Sequence, residues 1–239
     1  MSTPLIGQPQ PGGTRHPLRV ELFFIAHSDT GEPLVHPNAL SIGLAAAILI
    51  DLLHPIERIT VSDGGAGIIV GSRNLTGDPV ADWAMRLLDV YRPETAIHEY
   101  HPSMTVRDAL QQLATHAYQR TAAGLIAGDL AAEVTRRRRL GGKVTTYPPT
   151  DEMVISRVRS RLSGVLRTID KPDPQTDALA GLIRALDLPS VLYLDGLGLD
   201  LRAELQAMLA RVGRRTRAVR VIVEIAEALI AETAVSVYG

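Results

Sequence analysis

The sequence of 239 residues contains no cysteine. Disulfide bonds, thiolate catalysis and cysteine-based zinc sites are therefore excluded. Aromatic residues make up only 4% of the chain, so its core must be built mainly from leucine, isoleucine, valine and alanine. This composition favours a mainly helical protein.

The beginning of the sequence has no recognisable secretory signal peptide. Residues 1–17 are polar, contain proline and glycine, and lack an apolar segment. We expect these residues to be a disordered N-terminal tail, residues 18–239 to form one globular domain, and the protein to be cytoplasmic.

Lysine is scarce, and the charge is unevenly distributed along the chain. Residues 1–130 hold 8 arginines and 13 acidic residues, whereas residues 131–239 hold 17 basic and 13 acidic residues. Only Lys143 and Lys171 are lysines. An arginine-rich composition is typical of GC-rich bacteria, and a basic half is most often a solvated surface, less often a contact for an anionic partner.

The longest apolar run, Ala39–Leu53, predicts the central helix of the fold. Asn38 is the expected N-cap, and His54-Pro55 ends the helix because a residue before proline avoids helical geometry. Apolar residues occupy every face, which predicts burial all round. A membrane span needs roughly 20 apolar residues, so we expect this 15-residue run to lie in a globular core.

The remaining pattern predicts helices around that core together with two β-hairpins. Residues 18–26 are compatible with a short helix or a strand, and residues 58–70 predict a hairpin. A second hairpin is predicted from strands at 131–135 and 143–147, with residues 136–142 at its tip. The predicted fold class is mainly α: one domain with a buried central helix, surrounding amphipathic helices and two hairpins. Further helices are expected from 78, at 103–123, from 150, and at 176–188, 201–212 and 217–237.

No strong catalytic signal is present. The sequence lacks a GxSxG elbow, a Walker loop and a GxGxxG fingerprint. His98 and His101 lie three residues apart, but prolines flank the segment that contains them, which favours a loop over a metal site. His27 precedes Ser28 and Asp29, which favours a turn or cap over acid–base catalysis. We therefore expect no catalytic residue, cofactor or metal, although an enzymatic role is left open.

The most concentrated charge is the run Arg136, Arg137, Arg138 and Arg139. Four arginines at a hairpin tip can contact phosphates or anionic lipid, with about 1 kcal/mol per residue near a charged membrane. A solvated loop is the alternative. Nucleic acid is not an expected partner, because the pI is near 6.7 and no recognition motif is present.

As a whole, the sequence resembles the Golgi phosphoprotein 3 family, especially its actinobacterial members. The resemblance spans roughly residues 19–231 and rests on the order and spacing of several segments. They are ELFFI at 21–25, DTGEPLV at 29–35, the helix at 40–53 with the strand at 58–61, LGGKVTTYP at 140–148 and PDPQTDALAGLI at 172–183.

This resemblance implies a helical domain with a protruding hairpin and a peripheral membrane protein that binds phosphatidylinositol 4-phosphate. The family's headgroup pocket uses a tryptophan and three arginines. These positions fall on His36, Ala45, Gln111 and Ala114, so none of the four is kept. Without cations the electrostatic reason for phosphate binding is lost, and we expect no selective affinity for that headgroup.

Two hypotheses follow. In the first, a bacterial lipid-binding protein attaches to the inner membrane face through Arg136–Arg139. In the second, the pocket binds or transforms a small, hydrophobic or isoprenoid-like ligand, with His27 or His36 as its polar group. Self-association stays open in both.

Overall fold

The computed structural model describes residues 15–62, 67–90, 104–137, 142–189 and 200–238. Within these ranges the protein is a mainly helical single domain with two small antiparallel sheets, which confirms the predicted fold class. The helices are α1 (Leu18–Ile25), α2 (Pro37–Leu53), α3 (Pro79–Val90), α4 (Val106–Ala127), α5 (Met153–Leu166), α6 (Pro174–Ala185), α7 (Leu201–Arg215) and α8 (Arg217–Tyr238). The strands are β1 (Ile59–Val61), β2 (Gly67–Val70), β3 (Met104–Thr105), β4 (Val134–Arg137) and β5 (Lys143–Thr146).

Helix α2 is the centre of the domain, as the sequence predicts. It contacts α1, α3, α4, α6, α8 and β1, and the residues from Ile42 to Leu52 are all buried. Gly43 allows close approach of the residue that follows α6, because a Cβ atom there would lie only 3.0 Å from the Leu186 side chain. The apolar run is therefore a core helix.

The predicted start of α2 is wrong by two residues. The N-cap is His36, whose Nδ1 accepts a hydrogen bond from the Asn38 backbone N–H at 3.3 Å. Asn38 lies inside the helix, because Pro37 takes the first helical position, where its fixed φ and missing N–H are tolerated.

Residues 18–25, which the sequence left open between helix and strand, form helix α1. Its N-terminus is held by Asp51 of α2, whose carboxylate accepts hydrogen bonds from the Leu18 and Arg19 backbone N–H groups at 2.8 and 3.3 Å. The Arg19 side chain contacts Asp51 and also Asp78. A carboxylate at this position satisfies the free N–H groups of a helix start.

The predicted hairpin at 58–70 is confirmed by the pairing of β1 with β2, where Thr60 lies opposite Ile69. The sequence did not indicate β3, which adds a third strand by pairing with β2. Two residues are too few to produce a recognisable alternation of apolar and polar side chains.

The second hairpin forms, but its strand boundaries differ from the predicted ones. Strand β4 begins at Val134, and Ala131 makes only an isolated bridge with Pro149. The Thr135 and Thr145 side chains hydrogen-bond at 3.1 Å and hold the observed register. Arg136 and Arg137 are thus strand residues and not part of the tip, while Arg138 and Arg139 lie outside the described residues.

The second half of the domain is helical, as predicted, with boundaries shifted by a few residues. Of the expected cap residues 150–152, Glu152 is the N-cap of α5 and makes no side-chain capping bond, while the Asp151 carboxylate accepts from the Met153 N–H at 2.9 Å. Asp173 caps α6, which starts two residues earlier than expected, at Pro174. Helix α8 packs on α2, α6 and α7. Among the described residues no helix is both long and apolar enough to cross a bilayer.

The end of the predicted N-terminal tail has defined contacts. The Arg15 guanidinium lies 2.6 Å from the Asp173 carboxylate, and Gln175 donates to the His16 carbonyl at 2.7 Å. Residues 1–14 lie outside the described residues, so the disorder expected there stays a prediction.

Candidate functional site

A cavity opens between the N-terminal part of α2, the middle of α4 and the C-terminal part of α8. Its volume is about 570 Å³, within the range of pockets that hold small ligands. Helix α4 contributes side chains three and four residues apart, which share one helix face. The lining residues are Pro37, Asn38, Ser41, Ile42, Gln111, Ala114, Thr115, Tyr118, Gln119, Leu229, Glu232 and Thr233.

Two of the four positions carried over from the family resemblance, Gln111 and Ala114, line this cavity. Ala45 does not, because it is fully buried in α2. His36 is exposed and caps α2 beside the cavity residue Pro37. The predicted pocket residues therefore fall at or near one cavity, with Ala45 inside the core.

The cavity wall carries little net charge. Of the described residues that line it, Glu232 alone is ionisable near neutral pH. Its carboxylate lies 2.5 Å from the Arg107 guanidinium, and the hydrogen bond from Arg107 lowers the pKa of Glu232. The remaining polar groups are amides and hydroxyls.

His27 lies behind the cavity wall and is almost completely buried. Its Nδ1 lies 2.6 Å from the Phe23 carbonyl oxygen, and its Nε2 lies 3.1 Å from the Tyr118 hydroxyl. Burial lowers the pKa of His27 to about 4, so the imidazole is neutral at pH 7. A carbonyl can only accept, so Nδ1 carries the proton and Nε2 accepts from the Tyr118 O–H.

An aromatic cluster continues from the cavity wall to the second hairpin. Phe23 stacks on His27 with ring centroids 4.1 Å apart. Tyr147 is the residue that follows strand β5, and its ring lies edge-on to that of Tyr118, with ring centroids 6.1 Å apart. The low aromatic content of the chain is thus partly concentrated at one place, between the cavity and the hairpin.

The hairpin itself presents exposed cations. Arg136 and Arg137 on β4 and Lys143 on β5 are all exposed, and Arg137 lies directly opposite Lys143. No ion pair of these three side chains occurs among the described residues. The nearest acid in sequence, Glu133, acts on Tyr147 instead: burial first, and then this carboxylate, raise the pKa of Tyr147.

The described residues contain no group of three potential metal ligands. His98 and His101, which the sequence singled out, lie outside the described residues.

Of the cavity residues, sequence reasoning indicated only Gln111 and Ala114 and missed the others, among them Tyr118, Glu232 and Thr233. A signal for α4 existed, because Gln111, Thr115, Tyr118 and Gln119 form a polar stripe at helical spacing beside the buried face of the helix. The contribution of α8 had no such signal, since Glu232 follows Gln111 by more than 100 residues.

The described structure is thus a mainly α domain with a buried central helix, a ligand-sized open cavity and a basic hairpin. Comparison with protein families assigns it further: the chain belongs to the Golgi phosphoprotein 3 (GPP34) family, whose model matches residues 18–230. No curated protein matches the chain.

Proposed function

We propose that this protein is a peripheral membrane-binding protein that attaches to anionic lipid through the β4–β5 hairpin. The observation that carries the proposal is the pair Arg137 and Lys143, which lie opposite each other in the hairpin. Like charges directly opposite in an antiparallel pair destabilise it. An external anion between them relieves this repulsion.

The hairpin has more than one cation to offer. Arg136 lies on the other face of the ribbon, opposite Val144, and Arg138 and Arg139 follow in the sequence. Each basic residue near an anionic membrane surface contributes about 1 kcal/mol. Together these residues are sufficient for reversible attachment, for which we propose the cytoplasmic face of a membrane, where anionic lipids are enriched.

Membership of the Golgi phosphoprotein 3 family supports a lipid partner, because the family resemblance implies phosphatidylinositol 4-phosphate binding. The cavity of this chain nevertheless carries Gln111 and Ala114 where that resemblance expects arginines. We therefore propose attachment by surface charge, without selectivity for one phosphoinositide headgroup.

Co-sedimentation with vesicles tests this function. We expect binding to phosphatidylserine–phosphatidylcholine vesicles at low salt and release by roughly 0.5 M salt, which shortens the screening length to about 4 Å. Vesicles that contain phosphatidylinositol 4-phosphate at equal total charge are expected to bind equally well. Absence of binding to any anionic vesicle at low salt would contradict the proposal.

A second candidate function is binding of a small molecule in the cavity between α2, α4 and α8. The observation that favours it is a cavity of about 570 Å³ whose wall consists mostly of uncharged hydrogen-bonding and apolar side chains. His27 takes part indirectly, since it contacts the cavity residue Tyr118 but is itself buried. This binding and hairpin attachment use different surfaces and are compatible.

A further inference from the structure

The hydrogen-bonding groups of the cavity wall are largely unused within the protein. The side chains of Asn38, Ser41, Gln111 and Gln119 have no hydrogen-bond partner among the described residues. All four lie at the cavity on neighbouring faces of α2 and α4. Such convergent polar groups fix the orientation of a ligand and select it.

Tyr118 has a defined role in this wall. Because its O–H donates to Nε2 of His27, the hydroxyl oxygen keeps only its acceptor capacity for a ligand in the cavity. A ligand group at this position must therefore donate a hydrogen bond, as a hydroxyl or an N–H does. A deprotonated phosphate oxygen only accepts and therefore cannot hydrogen-bond to the Tyr118 oxygen.

The charge of the wall disfavours an anion independently. None of the described lining residues is Lys or Arg, and the Glu232 carboxylate, paired with Arg107, offers a phosphate no attraction. Arg107 is already occupied by Glu232 at 2.5 Å. The amides of Gln111 and Gln119 both donate and accept, which suits neighbouring hydroxyl groups of one ligand.

We propose that this cavity binds an uncharged, polyhydroxylated ligand, and that Tyr118 and Gln111 select it by hydrogen bonds to its hydroxyl groups. The proposal rests on the second candidate function and names its ligand class. The apolar side chains of Ile42 and Leu229 contact the carbon atoms of such a ligand, as apolar surface does in most small-molecule sites.

Matched pairs of probes test the ligand class. We use glucose with glucose 6-phosphate and myo-inositol with myo-inositol 1-phosphate, and follow binding by ligand-observed saturation-transfer NMR and titration. The neutral member of at least one pair is expected to bind, at least tenfold more tightly than its phosphate.

Substitutions locate the binding. Ala114→Arg adds a cation to the wall and is expected to reverse the preference toward the phosphorylated probe. Gln112→Arg is the matched control, because Gln112 is exposed on the same helix and does not line the cavity; it is expected to change nothing.

Tyr118→Phe removes the acceptor and is expected to weaken binding of the neutral probe about tenfold. Should this variant fail to fold, Gln111→Leu removes wall hydrogen bonds from an exposed position instead, with the same expected result.

Three outcomes would count against the inference. Selective binding of the phosphates by the wild type would overturn the ligand class while leaving the cavity as a binding site. Failure of both members of both pairs to bind would overturn the ligand class, whereas attachment through the hairpin is tested separately by vesicle binding. If Ala114→Arg leaves the binding of the uncharged probe unchanged, the probe binds elsewhere, and the assignment to this cavity would be overturned.

Discussion

The charged side chains buried in and around α1 are held by specific partners. Arg19 contacts Asp51 and Asp78, and Glu21 lies 2.5 Å from Arg161. Desolvation raises the pKa of Glu21 against the attraction of Arg161, and it raises the pKa of Asp51 to about 6 against that of Arg19. Removal of one member of such a pair leaves a buried charge without compensation.

Asp51→Ala is therefore expected to destabilise the protein by about 3–5 kcal/mol, because Arg19 and the N-terminus of α1 both lose a partner. Urea unfolding measures this change. The control is Asp89→Ala, which breaks the exposed pair of Asp89 with Arg73 and is expected to cost less than about 1 kcal/mol. Equal effects of the two substitutions would contradict the structural role of Asp51.

The imidazole of His27 is expected to titrate with a pKa of about 4, because burial disfavours its charged form. NMR titration of the His27 ring in the folded and in the urea-unfolded protein measures the difference between the two pKa values. In the unfolded protein the midpoint is expected at about 6.5. Between these two pH values the unfolded state binds more protons, so the His27 contribution to stability rises with pH, by about 3 kcal/mol in total. A midpoint above 6 in the folded protein would contradict the buried neutral state.

The contribution of Asp51 has the opposite sign. Its folded pKa of about 6 lies above its ordinary value, so the folded state binds more protons and the stability it contributes falls as pH rises toward 6. The two contributions oppose each other between pH 4 and 6, which is why direct titration of His27 is the sharper measurement.

At the scale of elements, α2 was predictable because its apolar residues occupy every face between clear boundary signals. The N-cap residue of α2 was not predictable, because His36, Pro37 and Asn38 are consecutive and each suits a position at the start of a helix. Helix α1 could not be distinguished from a strand, because the group that settles its start, Asp51, lies 33 residues away. Strand β4 was misplaced because threonine and arginine give no apolar alternation.

The central position of α2 predicts the effect of a charge inside it. Ala46 is fully buried, so Ala46→Asp is expected to unfold the protein or make it insoluble, since a lone buried carboxylate costs several kcal/mol. Solubility and thermal melting measure this effect.

The matched control is Ala123→Asp, because Ala123 is exposed on α4. This substitution is expected to leave the melting temperature within a few degrees of the wild type. A soluble Ala46→Asp variant that melts like the Ala123→Asp variant would contradict a central role for α2.

At the scale of the whole molecule, the segments that carry the family resemblance contact one another. Gly31, at φ +79°, lies so close to Tyr147 and Pro148 that a Cβ atom there would be 2.4 Å from the Pro148 nitrogen. Arg161 joins Glu21 of the first segment to Thr176 of the last. The order and spacing of these segments in the sequence were informative about the family because the segments pack against one another in the fold.

The candidate site was only partly predictable on the same scale. The resemblance indicated Gln111 and Ala114, and the charge pattern indicated the hairpin arginines. The cavity as a whole is assembled from α2, α4 and α8, which are distant in sequence. Periodicity reports which face of one helix is buried, but it contains no information about which helices meet.

Attachment through the hairpin is the central claim, and it predicts a separation of binding from stability. We compare the wild type with a variant in which Arg136, Arg137, Arg138 and Arg139 are serine. The control variant replaces four exposed arginines elsewhere by serine, and therefore changes the net charge equally. These are Arg86, Arg167, Arg214 and Arg217.

The deciding measurement is partitioning of the three proteins onto phosphatidylserine-containing vesicles at low salt. At about 1 kcal/mol per arginine, loss of the hairpin cations is expected to reduce partitioning by about a thousandfold. The melting temperature should stay nearly unchanged because exposed charges contribute little to folding. The control variant is expected to retain binding within about tenfold of the wild type. Equal loss of binding in both variants, or unchanged binding without the hairpin arginines, would contradict attachment through the hairpin.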